Sequence, residues 1–463
     1  MGLASNNKLV KLISRLVRQN NELEKKIKEI EKEYDLLSEK YERLKKKSSP
    51  NEFVDIPIKE QSLKFNMATV LYADIHGFSK LTENMNSTDV MDELDEILRV
   101  FDSIVKKHKI EKIKTIGDSY MCAGGIPEKN STNPIDVVMA AMEMRDFLID
   151  YETKKRGDTR IWELKIGIHT GPVTATISGK IKKNYRIKGD TVNTATRIEA
   201  ISEKDTILMS VMTYELVKEF FSCDYFGKLP VKYKGDIQVY CVNNLKPHLS
   251  VNNEGKIPNK AFYTKFGFLL FTDIQEVILD KLEKELPPYS YYHNVKHTVD
   301  VVTEVELIGW SEGCSDEEIL LLKLAGLFHD VGHTVTYNGP EEAGCKIARE
   351  TLPEYGISDE DIDKICSLIM ATKLPPHPEN LLEMIMCDAD LDYLGRSDFI
   401  PVSNTLYEEL KAHNMVGSIN SWNKTQIKFI SGHQYFTNTA RNLREVNKQL
   451  QIERLESIIT DED

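Results

Sequence analysis

The sequence lacks a run of apolar residues long enough to cross a bilayer, which takes about 20 such residues in succession. Its first residues, MGLASNNKLVKLISRL, also lack the apolar core and the small-residue cleavage site of a secretory signal. These absences argue against an integral membrane segment and against secretion. We therefore expect a cytoplasmic protein.

Cysteine is present without any pattern typical of a disulfide or zinc framework. The seven cysteines are widely spaced and never form a CxxC pair, so we expect reduced, mostly buried thiols. The chain also has no excess of positive charge. It contains 60 Lys and Arg residues and 73 Asp and Glu residues, which give a formal net charge of -13. This balance argues against broad binding to nucleic acid, and no nucleic-acid partner is expected.

The N-terminal residues carry a sustained heptad repeat. Apolar residues alternate in steps of four and three, which places them at the d and a positions of a left-handed coiled coil. Asn20 lies at an a position, where a buried amide favours one parallel, two-stranded register. We predict a parallel coiled-coil dimer over residues 1–48, with a lone helix stabilised by pairs such as Glu22 and Lys26 as the alternative. The two registers are Leu9, Leu16, Leu23, Ile30, Leu37 and Leu44, and Ile13, Asn20, Ile27, Tyr34 and Tyr41.

Breaks in periodicity predict a multidomain chain. Segments rich in Ser, Pro, Asn and Gly predict linkers at residues 49–64 and 246–264. Between them, residues 65–245 have the order β, α, β, β, α, β, which predicts an α+β domain of ferredoxin-like topology. After the second linker, residues 265–463 have helical periodicity and predict an all-α domain.

Two acidic residues lie where strands of the α+β domain end. Asp74 follows the apolar strand of LYADIHGF, and Asp118 lies on a Gly-Asp turn in KIKTIGDSYMCAGG. Adjacent strand ends can bring these carboxylates together. Mg²⁺ and Mn²⁺ keep oxygen ligands and bridge phosphates, so two carboxylates beside a bound triphosphate suit these ions. One ion would activate the ribose 3′-hydroxyl as a nucleophile, and the other would stabilise the pyrophosphate leaving group.

A predicted helix beginning near Asp190, in DTVNTATRIEA, carries two polar residues on one face. Asn193 and Arg197 are four residues apart. Arginine supplies fixed donors for charge that builds on an α-phosphate, and asparagine can orient a ribose. This helix is therefore a candidate partner of the two carboxylates.

Taken together and in order, ADIHGF, KIKTIGDSYM, GIHTGPV and YRIKGDTVNTATRIE resemble the motifs of class III adenylyl and guanylyl cyclases. The resemblance implies that Asp74 and Asp118 are metal ligands, that Asn193 orients the ribose and that Arg197 is the transition-state arginine. In this family the metal-binding and transition-state residues come from opposite protomers. Since this chain carries both sets, the resemblance implies a symmetric homodimer with two composite sites.

The same resemblance implies the substrate-binding residues. Lys234, in VKYKGDIQVY, matches the lysine that contacts the triphosphate, and Lys114 matches a base-selecting position that is Lys in adenylyl and Glu in guanylyl cyclases. The second base-selecting position, often Asp or Thr in adenylyl cyclases and Cys in guanylyl cyclases, is Arg186 here. Arginine only donates hydrogen bonds and equally suits carbonyl acceptors on guanine, cytosine or uracil. Lys114 therefore favours ATP, while Arg186 leaves the base open.

The helical domain carries a second set of metal-binding residue types. YYHNVKHTVDVV, LFHDVGH and MCDADLDYLGR supply His297, the pair His329 and Asp330, and Asp388. Imidazole and carboxylate ligands suit one or two divalent transition-metal ions, with one aspartate able to bridge two ions. The order of these residues resembles the HD phosphohydrolase superfamily.

A more specific similarity covers Tyr292-His293-Asn294, His297 and the segment HDVGH. These motifs are similar to the active-site signature of 3′,5′-cyclic nucleotide phosphodiesterases. The match implies that His293 protonates the leaving oxygen and that His333 orients the site. The domain is shorter than those phosphodiesterase domains and their base-gripping glutamine has no assigned counterpart, so we expect phosphoester hydrolysis without a fixed substrate.

The sequence thus predicts a homodimeric cyclase fused to an HD phosphohydrolase. The cyclase makes a cyclic nucleotide, and hydrolysis of that nucleotide is one candidate activity of the HD domain. Three alternatives stay open. The HD site can act on an unrelated phosphate ester, or it can be a metal-stabilised sensor that regulates the cyclase. In the third alternative the cyclase fold is a non-catalytic, nucleotide-binding receptor.

Overall fold

The computed structural model describes residues 61–77, 87–157, 161–178, 184–231 and 235–459. Outside the described residues lie the predicted coiled coil at residues 1–48, residues 49–60 of the first predicted linker, and Lys234. Within the described ranges, no helix has both the length and the apolar character that a bilayer crossing requires.

The first region is a mixed β-sheet with four helices. Its strands are β1 (Gln61–His76), β2 (Glu111–Ile116), β3 (Ser119–Gly124), β4 (Glu163–Ser178), β5 (Asn184–Lys188), β6 (Thr206–Ser210), β7 (Phe221–Val231) and β8 (Gly235–Leu245). Its helices are α1 (Ser87–Lys107), α2 (Asn133–Arg156), α3 (Asp190–Ala200) and α4 (Val211–Val217).

The strand order is β2-β3-β1-β4-β6-β8-β7, and β5 pairs with β4 outside this path. β1 and β3 are antiparallel, whereas β4 and β6 are parallel, so the sheet is mixed. The first four strands and their two helices follow the order β, α, β, β, α, β, which is the order predicted from the sequence. The remaining strands extend the sheet beyond β4.

Both faces of β1 are covered, which fixes where its polar end lies. Leu71 and Ile75 belong to the core that contains the apolar face of α1. Val70 belongs to a second core that also contains Ala195 of α3. Since side chains alternate along a strand, Asp74 lies on the Val70 face, toward the side that α3 covers.

The second region is helical, as predicted. After two short 3₁₀ turns near residue 250, the described chain forms nine α-helices and no strand up to residue 459. They are α5 (Lys260–Glu285), α6 (Val295–Ser311), α7 (Asp316–Phe328), α8 (Pro340–Thr351), α9 (Asp359–Ala371), α10 (Leu381–Asp390), α11 (Phe399–Ala412), α12 (Ile419–Gly432) and α13 (Asn438–Ile458).

Helix α5 contributes to two hydrophobic cores. Phe262, near its start, packs in the core of the first region and meets Phe220 edge-on, with 5.4 Å between ring centroids. Ile274, Ile278 and Leu282 pack in the core of the helical region. The helix therefore begins inside the segment expected to be a linker, because its first turn has an apolar surface to cover.

Polar contacts reinforce this junction. The backbone N–H and the hydroxyl of Ser131, just after β3, donate to the Asp273 carboxylate on α5 at 2.7 to 3.0 Å. The Lys109 ammonium donates to the backbone carbonyl of Glu354 at 2.6 Å. The helical region thus contacts the first region at both backbone and side-chain groups.

Candidate active sites

The two aspartates expected to bind metal in the sheet region lie at adjacent chain segments. The backbone N–H of Ile75 donates to the carbonyl of Asp118 at 3.1 Å, which joins the end of β1 to the β2–β3 turn. Gly117 gives this turn its positive φ of 60°. The Ser119 hydroxyl donates to Oδ1 of Asp74 at 2.8 Å and leaves Oδ2 for other partners.

Two residues that the sequence analysis did not single out lie beside Asp74. Nε2 of His76 is 3.2 Å from Oδ2 of Asp74, and Glu199 of α3 offers a carboxylate oxygen close to both. Burial, followed by the negative charge of Asp74, raises the pKa of Glu199 to about 7. Glu199 follows Arg197 by two positions, so it faces the other side of α3.

The residues expected to act on the substrate lie on exposed surfaces. Asn193 and Arg197 are exposed on α3, whereas Ala195 and Ile198 of that helix are buried. The helix starts at Asp190, as predicted. Its two functional candidates therefore face outward from the chain that holds them.

The two base-selecting candidates are also exposed. Lys114 lies on β2 opposite Met121, and Arg186 lies on β5 opposite Thr176. The strands β2 and β5 contact each other, so the two residues lie on neighbouring strands. Lys234 lies outside the described residues.

In the helical region, four side chains converge on one point. His297 lies in the first turn of α6, His329 ends α7, Asp330 follows it, and Asp390 is the last residue of α10. Nε2 of His297 is 3.2 Å from Oδ1 of Asp390 and 3.3 Å from Oδ2 of Asp330. Nε2 of His329 is 3.2 Å from Oδ2 of Asp330 and 3.5 Å from Oδ1 of Asp390.

Asp388, expected as a metal ligand, does not join this cluster, and the geometry gives that position to Asp390. The Asp388 carboxylate is fully buried and accepts hydrogen bonds from the backbone N–H groups of Phe436 and Thr437 at 2.9 and 2.7 Å. The Thr437 hydroxyl adds a third bond of 2.8 Å. The two aspartates are two residues apart on a helix and face different directions.

A second group of side chains adjoins the first. His293, Asp330 and His333 can offer ligand atoms within 4.8 Å of one another, and the His293 and His333 rings stack with centroids 4.1 Å apart. Nδ1 of His293 pairs with the buried carboxylate of Glu409. Glu409 also accepts from the backbone N–H groups of Tyr292 and His293, at 2.8 and 3.1 Å, which fixes the orientation of the imidazole.

Models of two protein families match this chain. Adenylate and Guanylate cyclase catalytic domain matches residues 60–244, and HD domain matches residues 294–392. The chain therefore contains a cyclase catalytic domain and an HD domain. Both families were expected from the motifs.

Curated relatives of guanylate cyclase type match part of the chain. The chain is 33% identical over 186 residues to the receptor-type guanylate cyclase gcy-8 of Caenorhabditis elegans, which is 39% of this chain and 16% of that protein. It is 32% identical over 186 residues to guanylyl cyclase C of Homo sapiens, which is 39% of this chain and 17% of that protein. The chain thus spans about a sixth of the length of these relatives.

Solved cyclase structures resemble a similar share of the chain. The guanylate cyclase domain of RhGC from Catenaria anguillulae, crystallised with GTP, is 30% identical, covers 40% of this chain and 100% of its own, and has a TM-score of 0.36. The adenylyl cyclase CyaB from P. aeruginosa is 28% identical, covers 42% of this chain and 100% of its own, and has a TM-score of 0.37.

The residues of the HD domain fit a divalent transition metal. Oδ2 of Asp330 is buried and lies 3.3 and 3.2 Å from Nε2 of His297 and His329, so one cation could contact all three atoms. Nδ1 of His329 is 2.8 Å from the Gly326 carbonyl, an arrangement that orients Nε2 toward the cluster. Two imidazoles with two carboxylates are a donor set that such ions favour.

Electrostatics around these donors point the same way. Burial opposes the charge on His297 and on His329, but hydrogen bonds and charges of Asp330 and Asp390 outweigh it and raise the pKa of both imidazoles. Burial likewise opposes the ionised form of Asp390, and both histidines outweigh it to lower the pKa of this carboxyl to about 2. The HD site thus favours positive charge at its centre.

A cavity of about 250 Å³ borders the HD site beside His297 and Asp390. Its wall includes Arg396, whose guanidinium donates to Asp300 at 2.9 Å. The HD donors therefore have open space next to them.

Proposed function

We propose that the chain is a homodimeric nucleotidyl cyclase, which converts a nucleoside triphosphate, ATP by preference, into a 3′,5′-cyclic nucleotide and pyrophosphate. One observation carries the proposal. A single chain holds Asp74 beside the Asp118 turn and also holds Asn193 and Arg197 on an exposed helix face. These are the donor types that two metal ions, a ribose and a reacting phosphate require.

The same distribution favours a dimer. Asn193 and Arg197 face outward, while Asp74 lies on the side of β1 that α3 covers. A second copy that faces this surface would bring its Asn193 and Arg197 to the carboxylates of the first. Two-fold symmetry would then create two equivalent sites, and the predicted coiled coil would hold the copies together.

The proposed cyclase mechanism uses mainly positioning and charge. Asp74 and Asp118 would hold two Mg²⁺ or Mn²⁺ ions, which when bound lower the pKa of the 3′-hydroxyl and offset phosphate charge. The Asn193 amide orients the ribose ring. The Arg197 guanidinium donates to the α-phosphate oxygens as negative charge builds there, and Lys234 contacts the triphosphate.

Two residues bear on the choice of base. Lys114 favours adenine, in keeping with adenylyl cyclases. Arg186 favours bases with carbonyl acceptors, and the guanylate cyclases among the relatives give this alternative weight. A cyclic GMP or cyclic pyrimidine product is therefore the second candidate.

The HD domain is proposed to hydrolyse a phosphoester, with the cyclic nucleotide as one candidate substrate. His297, His329, Asp330 and Asp390 would hold one or two transition-metal ions, which when bound activate a water molecule. Glu409 holds Nδ1 of His293 and leaves Nε2 free to give a proton to the leaving oxygen.

Product analysis by mass spectrometry tests both parts. Purified protein is incubated with Mn²⁺ and each of the four ribonucleoside triphosphates, beside Asp118→Ala and Asp390→Asn variants. We expect a cyclic product, largest from ATP, that Asp118→Ala does not form. A linear monophosphate that Asp390→Asn no longer releases would assign hydrolysis to the HD domain.

Other outcomes would change the proposal. A cyclic product from GTP, CTP or UTP alone would overturn the preference for ATP. An intact dimer that forms no cyclic product from any triphosphate would favour a nucleotide-binding receptor. Intact cyclic mononucleotides and other phosphoesters, with metal present in the HD domain, would leave that domain a regulatory role.

A further inference from the structure

Three side chains in the cyclase domain can bind one cation. Asp74, His76 and Glu199 each offer a ligand atom, and these atoms all lie within 4.8 Å of one another. Nε2 of His76 and Oδ2 of Asp74 are 3.2 Å apart. They come from two elements, the end of β1 and the buried face of α3.

Glu199 is the unusual member of the group. It is only 7% exposed, so its carboxylate has few contacts with water. The charge of Lys165 favours its ionised form, and a bound cation would stabilise that form further. Its nearest polar neighbours in the group are an acceptor, Asp74, and an imidazole, His76.

Access from solvent is open on one side. The His76 side chain is 43% exposed, whereas that of Asp74 is 19% exposed, so an ion can enter past the imidazole. The Ser119 hydroxyl occupies Oδ1 of Asp74 and leaves Oδ2 turned to His76. The free donors are therefore two carboxylate oxygens and one imidazole nitrogen.

We infer that His76 and Glu199 join Asp74 as ligands in the cyclase domain, and that this site binds Mn²⁺ more tightly than Mg²⁺. The reason is the imidazole nitrogen. Mg²⁺ demands oxygen ligands in near-octahedral geometry and gives up water reluctantly, whereas first-row transition ions accept nitrogen readily. The use of the site rests on the proposed cyclase activity, but the binding of the ion does not.

A different reading of the same contacts is a simple ion pair. A protonated His76 can pair with Asp74, and Glu199 can stay protonated in its buried position. In that case neither His76 nor Glu199 contributes to metal affinity. The two readings differ in what happens when each side chain is replaced by a neutral group of similar size.

Mn²⁺ binding by electron paramagnetic resonance separates them. The full chain carries Asp330→Asn and Asp390→Asn, which remove the carboxylates of both HD groups, so that the remaining bound Mn²⁺ reports on the cyclase domain. No nucleotide is added. We expect His76→Gln and Glu199→Gln each to weaken Mn²⁺ binding about 10- to 100-fold. His76→Gln should also abolish nitrogen hyperfine coupling to the bound ion and leave Mg²⁺ affinity little changed.

Glu203→Gln is the matched control, because Glu203 is an exposed carboxylate just beyond α3. It should leave the Mn²⁺ isotherm unchanged. If the double substitution in the HD domain lowers the folded fraction, the isotherms of the natural chain and of its Glu199→Gln form are compared, since the HD contribution is common to both.

Unchanged Mn²⁺ affinity in both variants, together with no nitrogen coupling, would overturn the inference in favour of the ion pair. Turnover tests the cyclase proposal separately. Product formation with no effect of either substitution on the ratio of Mn²⁺- to Mg²⁺-supported rates would sink this inference and leave the cyclase intact. If the two substitutions weaken Mn²⁺ binding but the natural chain never forms a product, the metal ligands are supported and the cyclase proposal is overturned.

Discussion

The two candidate sites of this chain differ in whether their functional side chains are buried or exposed. In the HD domain, donors from three helices and one turn face inward and approach within 3.2 to 3.5 Å. In the cyclase domain, Asp74 and Asp118 are partly buried while Asn193 and Arg197 are exposed. Under the proposed function, the first site is complete in one chain and the second is shared between two copies. A self-contained metal centre and a shared site would then be joined in one polypeptide.

The largest expected effect tests whether the cyclase site is shared. Asp118→Ala and Arg197→Ala should each lower cyclase activity by about 100-fold or more, since each removes a charge that the reaction needs. Co-expression of the two variants should restore about one quarter of natural activity, because half of randomly paired dimers contain one intact site of two. Cyclic nucleotide formation per milligram of dimer is the measurement.

Arg197→Ala co-expressed with Asn193→Ala is the matched control. Both substitutions affect the same surface, so no intact site can form in a mixed dimer. Recovery in this pair, or none in the first, would contradict a site built from opposite protomers.

The next effect separates two neighbouring aspartates of the HD domain. Asp390→Asn should lower bound transition metal strongly with little loss of stability, because it removes a ligand. Asp388→Asn should keep the metal but lower the free energy of unfolding by about 1–3 kcal/mol, because it disturbs buried hydrogen bonds to Phe436 and Thr437. Metal content by mass spectrometry and unfolding in urea distinguish the two variants. Metal loss in Asp388→Asn with only a stability loss in Asp390→Asn would refute Asp390 as the metal ligand.

The smallest effect compares how acid changes the stability of each half. Burial, helped by the charge of Lys448, lowers the pKa of His433 in the helical region to about 4, so the unfolded chain binds a proton that the folded chain rejects between pH 6.5 and 4. Burial raises the pKa of Asp136 in the cyclase domain to about 7, so there the folded chain binds the extra proton. As pH falls from 7 to 4, the first group lowers stability and the second raises it, each by about 1 kcal/mol or more.

Tryptophan positions allow the halves to be followed separately. Trp162 reports on the cyclase domain once Trp310 and Trp422 are replaced by phenylalanine, and those two report on the HD domain when Trp162 is replaced. His433→Gln should flatten the pH dependence of the HD signal, and Asp136→Asn that of the cyclase signal. Identical pH curves that neither substitution alters would contradict the prediction.

Local patterns in the sequence predicted much of the fold and part of each site. The strand that ends at Asp74, the Gly-Asp turn and the helix from Asp190 are set by alternation, turn chemistry and helical spacing, which neighbouring residues determine. The choice between Asp388 and Asp390 in MCDADLDYLGR depends on which side of α10 faces α6 and α7, and spacing within one helix does not contain that information. Glu409 lies 116 residues after His293, and only the tertiary fold brings them together.

His76 and Glu199 illustrate a second limit. His76 follows Asp74 by two positions, so strand alternation could have placed it on the same face. Glu199 gave no signal, because an acidic residue near the end of a helix is usually solvated and nothing local predicts its burial. The predicted linker that ended at residue 264 was misplaced for the same reason. Its polar residues suggested a linker, but Phe262 packs into the core of the first region.

Helix α5 has a practical consequence for dividing this protein. A cut before Lys260 leaves Phe220 without the aromatic ring that covers it, and a cut after Glu285 removes Ile274, Ile278 and Leu282 from the HD core. A cut within the helix exposes apolar surface on both fragments. Each half expressed alone would thus expose an apolar surface that favours aggregation. Fusing either half to another protein would require keeping α5 or replacing it with another apolar helix.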